Sequence, residues 1–150
     1  MASMRDRPYT GFNFLVNLGD GDTASVLAGF QEISALSQQL DVIEYRAGNS
    51  KVNAPLKLNG LNRVSDVTLR RGVIGSLDLY RWLNDIRDGG SNGLRTVSIE
   101  LQNEDRSSVV QTWRLINARI VRHSSGPFHA KSSEVAIEEL VLAFERLEME

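Results

Sequence analysis

Three separate stretches of the chain alternate apolar and polar residues with a period of two, which is the pattern of strands lying half-buried in a sheet. In the first, over 10–18, Phe12, Phe14, Val16 and Leu18 alternate with Gly11, Asn13 and Asn17, and Gly19-Asp20-Gly21 closes the run as a turn. In the second, over 64–71, Val67 and Leu69 alternate with Asp66, Thr68 and Arg70 before Gly72. In the third, Val97, Ile99 and Leu101 alternate with Ser98, Glu100 and Gln102, and a polar turn at 103–107 leads into 109–121 with Trp113 inside. That last pair reads as a hairpin. Residues 27–36 and 39–46 are weaker strand candidates, because glycine or polar pairs break their alternation.

Only one segment carries a helical period free of competition. Leu79, Trp82, Leu83 and Ile86 fall at i, i+3, i+4 and i+7, which predicts an amphipathic helix over about 76–88. Ser76 is its expected N-cap, Asp78 suits the first turn, and Gly89-Gly90 ends it. The C-terminal segment, 134–148, divides the local physics. Ala136, Leu140, Ala143, Phe144 and Leu147 sit at helical spacing, and the Glu, Leu and Ala content slightly favours a helix. As a strand it would turn Val135 and Ile137 one way and Leu140, Leu142 and Phe144 the other, demanding a change of buried face near Glu138 and Glu139. The sum is a mainly β fold, an antiparallel sandwich or barrel with one packed helix. Residues 47–60 carry Gly48, Asn49, Asn53, Pro55 and an Asn59-Gly60 turn signal, which suits an extended hairpin arm better than core.

With 150 residues and no second composition regime, one domain spanning 1–150 is expected, with a short N-terminal arm at 1–9 and the extended arm at 43–60. A net charge of -2 disfavours tight nucleic-acid binding. The absence of cysteine excludes disulfides, thiolate metal sites and cysteine nucleophiles. No stretch has the length and apolarity of a signal peptide or membrane span, so a larger particle is expected to carry the protein if it leaves the cell.

Chemistry is hard to seat on this chain. His123 and His129 flank Gly126-Pro127 at a spacing that fits no helical metal pair, and read as solvated loop histidines. No glycine-rich phosphate loop opens a helix. The adjacent carboxylates Glu138-Glu139 would point to opposite faces of a strand, and Glu104-Asp105 would be solvated in a turn. Trp82 and Trp113 read as core anchors. Arg70, Arg71, Arg119 and Arg122 are available to pair with acids on a partner, although scattered charge on strands is usually a solvated face. No catalytic residue, metal or cofactor is expected.

Taken in order, several segments resemble the tail tube protein family of contractile bacteriophages and related injection systems. They are Arg7-Pro8-Tyr9 before Phe12-Asn13-Phe14-Leu15-Val16, then Gly29-Phe30-Gln31-Glu32-Ile33-Ser34, Val42-Ile43-Glu44-Tyr45-Arg46 and Val67-Thr68-Leu69-Arg70-Arg71-Gly72. Leu79-Tyr80-Arg81-Trp82-Leu83, Trp113 with Asn117-Ala118, and Glu134-Val135-Ala136-Ile137-Glu138 complete the set. The resemblance implies a structural subunit of hexameric rings that stack into a hollow inner tube, a conduit for DNA or protein cargo. It also implies a sheath around the tube, a baseplate or hub, a length-setting protein, and assembly in a bacterial cytoplasm. It makes the C-terminal segment a strand, against the local reading.

A ring of identical subunits needs heterologous contacts, and unpaired sheet edges supply them. Stacking needs a second contact along the axis. The long, polar arm is the candidate, through Arg46, Asn49, Lys51, Asn53 and Lys57. If Leu140, Leu142 and Phe144 are buried, Glu139 and Glu145 lie opposite them and are candidates to face the lumen. Two other classes remain: a monomeric small β-barrel ligand-binding module, which needs an aromatic-lined interior pocket, and an enzyme, which needs a convergent polar constellation.

Overall fold

The computed structural model describes residues 2–21, 28–89 and 93–150. The elements run β1 (Phe14–Asn17), β2 (Glu32–Ile33), β3 (Gln38–Tyr45), β4 (Leu56–Val64), β5 (Val67–Gly72), α1 (Asp78–Arg87), β6 (Arg95–Gln102), β7 (Val109–Ser125), β8 (Ile137–Ala143) and β9 (Arg146–Met149). Seven strands form one antiparallel sheet in the order β1-β6-β7-β8-β5-β2, with β9 also on β7, and β3 with β4 forms a separate hairpin. The expected run 27–36 is reduced to the two-residue β2, with Leu27 outside the described residues. The run 39–46 becomes β3, half of the arm and no part of the main sheet. The short N-terminal segment folds back onto the body. Ser3 N donates to Val110 O at 2.8 Å, and the Arg5 guanidinium stacks 3.8 Å from the Tyr9 ring centre while hydrogen-bonding Glu104.

The longest strand organises the sheet. One edge of β7 pairs with β6, from Val109 opposite Gln102 to Ala118 opposite Arg95. Its other edge carries β9 over Trp113–Ile116 and β8 over Arg119–Ser125. Ile116 opposite Arg146 and Arg119 opposite Ala143 keep one continuous register, so β8 and β9 are a single strand interrupted at Phe144 and Glu145. Asn117, at φ 53°, takes the left-handed conformation at the break, and its amide donates to Glu145 Oε2 at 2.8 Å.

The C-terminal segment is therefore strand, correcting the local preference for helix. The Glu and Leu content that favours a helix is outweighed by backbone pairing along β7 and β5. The expected change of buried face does not occur either. Glu138, Leu140 and Leu142 all point inward and Val135 is exposed, so a charged residue occupies a core position.

Inward residues of the sheet meet α1 in a core that includes Val16, Val67, Leu69, Leu79, Trp82, Val97, Leu115, Ile120, Leu140 and Leu142. Trp82 anchors the helix, as its spacing predicts. Its indole Nε1 donates to Gly93 O at 2.7 Å and its ring lies 4.5 Å from the Arg95 guanidinium. Gly93 has to be glycine, because a Cβ there would meet Ile86 Cγ1 at 2.5 Å. The helix starts at Asp78, two residues later than expected, and Leu77, not Ser76, is the N-cap residue. Ser76 still acts at this end, its hydroxyl accepting the Asp78 N–H at 3.2 Å. Gly89, at φ 74°, follows the last turn, whereas Gly90 lies outside the described residues.

A buried charge ties helix to sheet. Arg71 on β5 is 1% exposed, its Nε donating to Glu138 Oε1 on β8 at 2.5 Å and its Nη1 to Asp78 Oδ2 on α1 at 3.1 Å. The expectation that Arg71 faces a partner is thus corrected: the side chain follows the inward parity of Val67 and Leu69. Breaking a buried pair from one side costs about 3–5 kcal/mol, because the other charge is left uncompensated. Arg71→Ala should lower the stability read from denaturant titration by about that amount. Arg70→Ala, on the exposed face of the same strand, should stay within about 1 kcal/mol; equal effects would contradict the assignment.

Candidate functional site

The hairpin β3–β4 extends from the body, and its exposed apolar residues make it a candidate contact surface. The arm runs over 38–64, longer than the expected 43–60, with its tip at 46–55. In antiparallel pairing, residues directly opposite share a face. Tyr45 opposite Leu56 and Ile43 opposite Leu58 therefore stand together, and the ion pair of Asp41 with Arg63 follows at the base of the same face, because the extra residue of the bulge lies on β4 and β3 alternates without interruption. The other face carries Glu44 opposite Lys57, Val42 opposite Asn59 and Leu40 opposite Asn62. The outer part of one face is thus apolar, whereas the sequence reads the arm as polar. Which residues share a face depends on the pairing register and the bulge.

The Asn59-Gly60 signal is not the hairpin turn. Both residues lie within β4, and Gly60 is needed because the backbone bulges toward it: a Cβ would stand 2.9 Å from Asp41 O. Of the five candidate contact residues, Asn49, Lys51, Asn53 and Lys57 are exposed side chains available to a partner. Arg46 is also exposed but is used locally, donating from Nε to Val52 O at 3.1 Å and from Nη2 to Ser50 O at 3.2 Å to hold the tip.

On the body, Glu139 lies opposite the buried Leu140 as expected, yet Arg70 Nε reaches its Oε2 at 3.0 Å. Glu145 is not in a strand. It sits in the break between β8 and β9, bound by Asn117 and 3.8 Å from Arg119 Nη2. Arg122 is exposed. His123 is not a loop residue but part of β7, with Nε2 3.2 Å from Glu138 Oε2 beside the buried arginine. His129 lies in the loop and is exposed, as expected. A second exposed apolar cluster, Val73, Ile74, Leu77 and Tyr80, lies at the start of α1.

The ion cluster is built for structure. Burial alone disfavours the charged form of Asp78, but the hydrogen bonds from Arg71 and Ser76 and the arginine's charge outweigh it, holding its pKa below the usual carboxylate value. For Arg71, burial again opposes the charge and the two carboxylates outweigh it, so its pKa rises. Among the described residues, no group of three or more His, Cys, Asp or Glu could hold a metal ion. Among them, too, no helix is long and apolar enough to cross a membrane.

A mainly β body with a projecting two-stranded arm and a structural ion cluster defines a building block of an assembly. The family model of the T4-like virus tail tube protein gp19 matches residues 10–148, and the chain belongs to that family of structural tail tube proteins. It is a tube subunit, not an enzyme. Among solved structures, it is similar to a chain of the sheath–tube complex of the PVC extracellular contractile injection system in its extended state. The two are 29% identical with a TM-score of 0.82, covering 97% of this chain and 93% of that one. A chain of the anti-feeding prophage tube-terminating cap is 28% identical with a TM-score of 0.83, covering 100% and 95%. One from the 6-fold symmetrised baseplate of the same particle is 30% identical with a TM-score of 0.79, covering 97% of each chain. No curated protein sequence matches the chain.

The depressed Asp78 pKa has a stability consequence of definite sign. The folded carboxylate binds a proton less readily than the unfolded one, so its contribution is present above the unfolded pKa of about 3.9 and is lost as pH falls through the lower folded value. Asp78→Asn should lower stability near neutral pH and flatten the loss of stability below about pH 4. Melting temperatures measured from pH 7 to pH 2 check both.

Proposed function

We propose that this chain forms hexameric rings that stack into the hollow inner tube of a contractile injection particle or phage tail, with the arm as the contact between rings. The observation that supports the arm's role is its composition: a hairpin over 38–64 that projects Leu40, Ile43, Tyr45, Leu56 and Leu58 into solvent, all roughly half exposed or more. A monomer has no reason to keep such a surface uncovered. The sixfold symmetry of the baseplate structure with a 30% identical chain supports the ring number. The sheath–tube complex with a 29% identical chain supports a sheath as outer partner.

The ring contact itself is available from the sheet. β1 and β2 end it, each with one row of backbone groups that no strand among the described residues pairs. Strand addition between neighbours would use those rows and continue the sheet around the ring. Glu139 and Glu145 are our candidates for the lumen wall. With Arg70 and Arg119 beside them, a sixfold ring of these groups is closer to charge-balanced than acidic, so its repulsion of a polyanionic cargo is modest.

Two measurements test the proposal. Purified protein, alone or with its baseplate components, should give rings or tubes in negative-stain images; a species that stays monomeric at high concentration under both conditions would contradict it. Replacing 47–57 with a short turn should preserve the circular-dichroism spectrum and abolish stacking, because the tip contributes no core residue.

A further inference from the structure

The body has an opening that suits the apolar face of the arm. The main sheet curls but does not close, and between its end strands β1 and β2 lies a groove of about 400 Å³. Phe14, Ile33, Leu36, Ile99, Leu101 and Trp113 supply its apolar wall. We propose that the arm of one copy seats in this groove of a second copy, apolar face inward. The inference rests on the tube reading and names the surfaces by which successive subunits meet.

Reach requires a second copy. The chain leaves the groove at Leu36 and enters the arm at Gln38, so Ile43 lies five residues along an extended strand, roughly 17 Å outward at 3.3 Å per residue. Leu58 stands opposite Ile43 at the same height. The distal apolar pairs are therefore carried away from their own groove. A hairpin of two strands is marginal by itself in water and gains from burying one face.

Charge selects the same partner. The arm, 38–64, holds Arg46, Lys51, Lys57 and Arg63 against Asp41 and Glu44, a net +2, so in a chain of net charge -2 the remainder carries -4. A basic arm is attracted to an acidic body, and the body at hand at high local concentration is another copy. Glu32, on the groove rim, is 64% exposed along its side chain, with Arg70 3.8 Å away. Because arm and groove are different surfaces, the contact is heterologous and propagates in one direction, as an axial stack requires.

Alternate side chains of the entering arm fill the apolar wall, and the open edges of β1 and β2 stay available to the neighbour within the ring. The other face of the arm, with Glu44, Lys57 and Asn59, then stays toward solvent, and the pair of Asp41 with Arg63 at the arm's base lies beyond the apolar pairs.

The natural chain has no cysteine, so introduced pairs report without background. In the double variant Leu58→Cys with Ile33→Cys, oxidation of assembled tubes should give an intermolecular disulfide ladder on non-reducing gels, and either single variant should not. Separately, Ile43→Asp with Leu58→Asp should cut the protein found in stacked tubes roughly tenfold or more, since carboxylates would enter an apolar groove. Asn59→Asp on the opposite face should leave stacking intact. Tubes that form normally with both aspartates present, or assembled tubes of the cysteine pair that give no ladder, would overturn the groove assignment while leaving the tube function standing. If the unaltered protein makes neither rings nor tubes, the tube reading fails, and this inference with it.

Discussion

A guanidinium held between two carboxylates inside the core fixes how the helix sits on the sheet. Arg71 reaches Glu138 on the neighbouring strand and Asp78 at the start of α1, joining β5, β8 and α1 through charge-assisted hydrogen bonds. An apolar contact would tolerate sliding of the helix over the strands. A planar fork of donors does not, because displacing it leaves buried charge unpaired. His123 closes the far side of Glu138, so β7 is brought into the same cluster. Such a network restricts the relative placement of the parts more than it adds stability, and a subunit that must repeat identically needs that restriction.

The rigid body leaves its sheet incomplete in two places. The ends of the sheet, β1 and β2, face one another across an apolar groove, and the arm stands clear with an apolar face exposed. In a protein that works alone, both would invite uncontrolled association. In a tube subunit they are complementary halves of contacts made by copies of the same chain. The charge distribution has the same character, with cations gathered on the arm and the excess of acid elsewhere, which favours head-to-tail association over two-fold pairing.

The ionisable groups are used in the same way. Those brought together in the interior satisfy one another, and those at the surface that have partners form ordinary exposed ion pairs such as Arg70 with Glu139 and Arg114 with Glu150. The donors and acceptors of the Arg71 cluster are directed at each other, as are those around the buried Asn13, where Arg106 donates to Asn13 Oδ1 and Asn13 donates to the Asn103 and Glu104 carbonyls. The chain's resources lie in surfaces, as expected of a member of the tail tube family.

Local sequence determined the elements whose burial pattern is simple. The alternation through Val16, Val67, Leu69, Val97 and Ile99 places strands with their apolar side inward, and the spacing of Leu79 and Trp82 places the helix, because period and solvent exposure are properties of a single segment. The family resemblance supplied what local physics did not, the strand at the C-terminus. Tertiary structure gives the physical reason for that strand and decided the rest. Ile137–Ala143 and Arg146–Met149 are strands because β5 and β7 offer backbone pairing that outweighs a helical composition. Arg71 and Glu138 enter the core because each neutralises the other there, a fact no pattern of hydrophobicity records. The arm acquires an apolar patch because the pairing register sets Tyr45 beside Leu56 and Ile43 beside Leu58, residues apart in the chain. Each of these depends on which segments meet, and the free energy of meeting belongs to the pair and not to either segment.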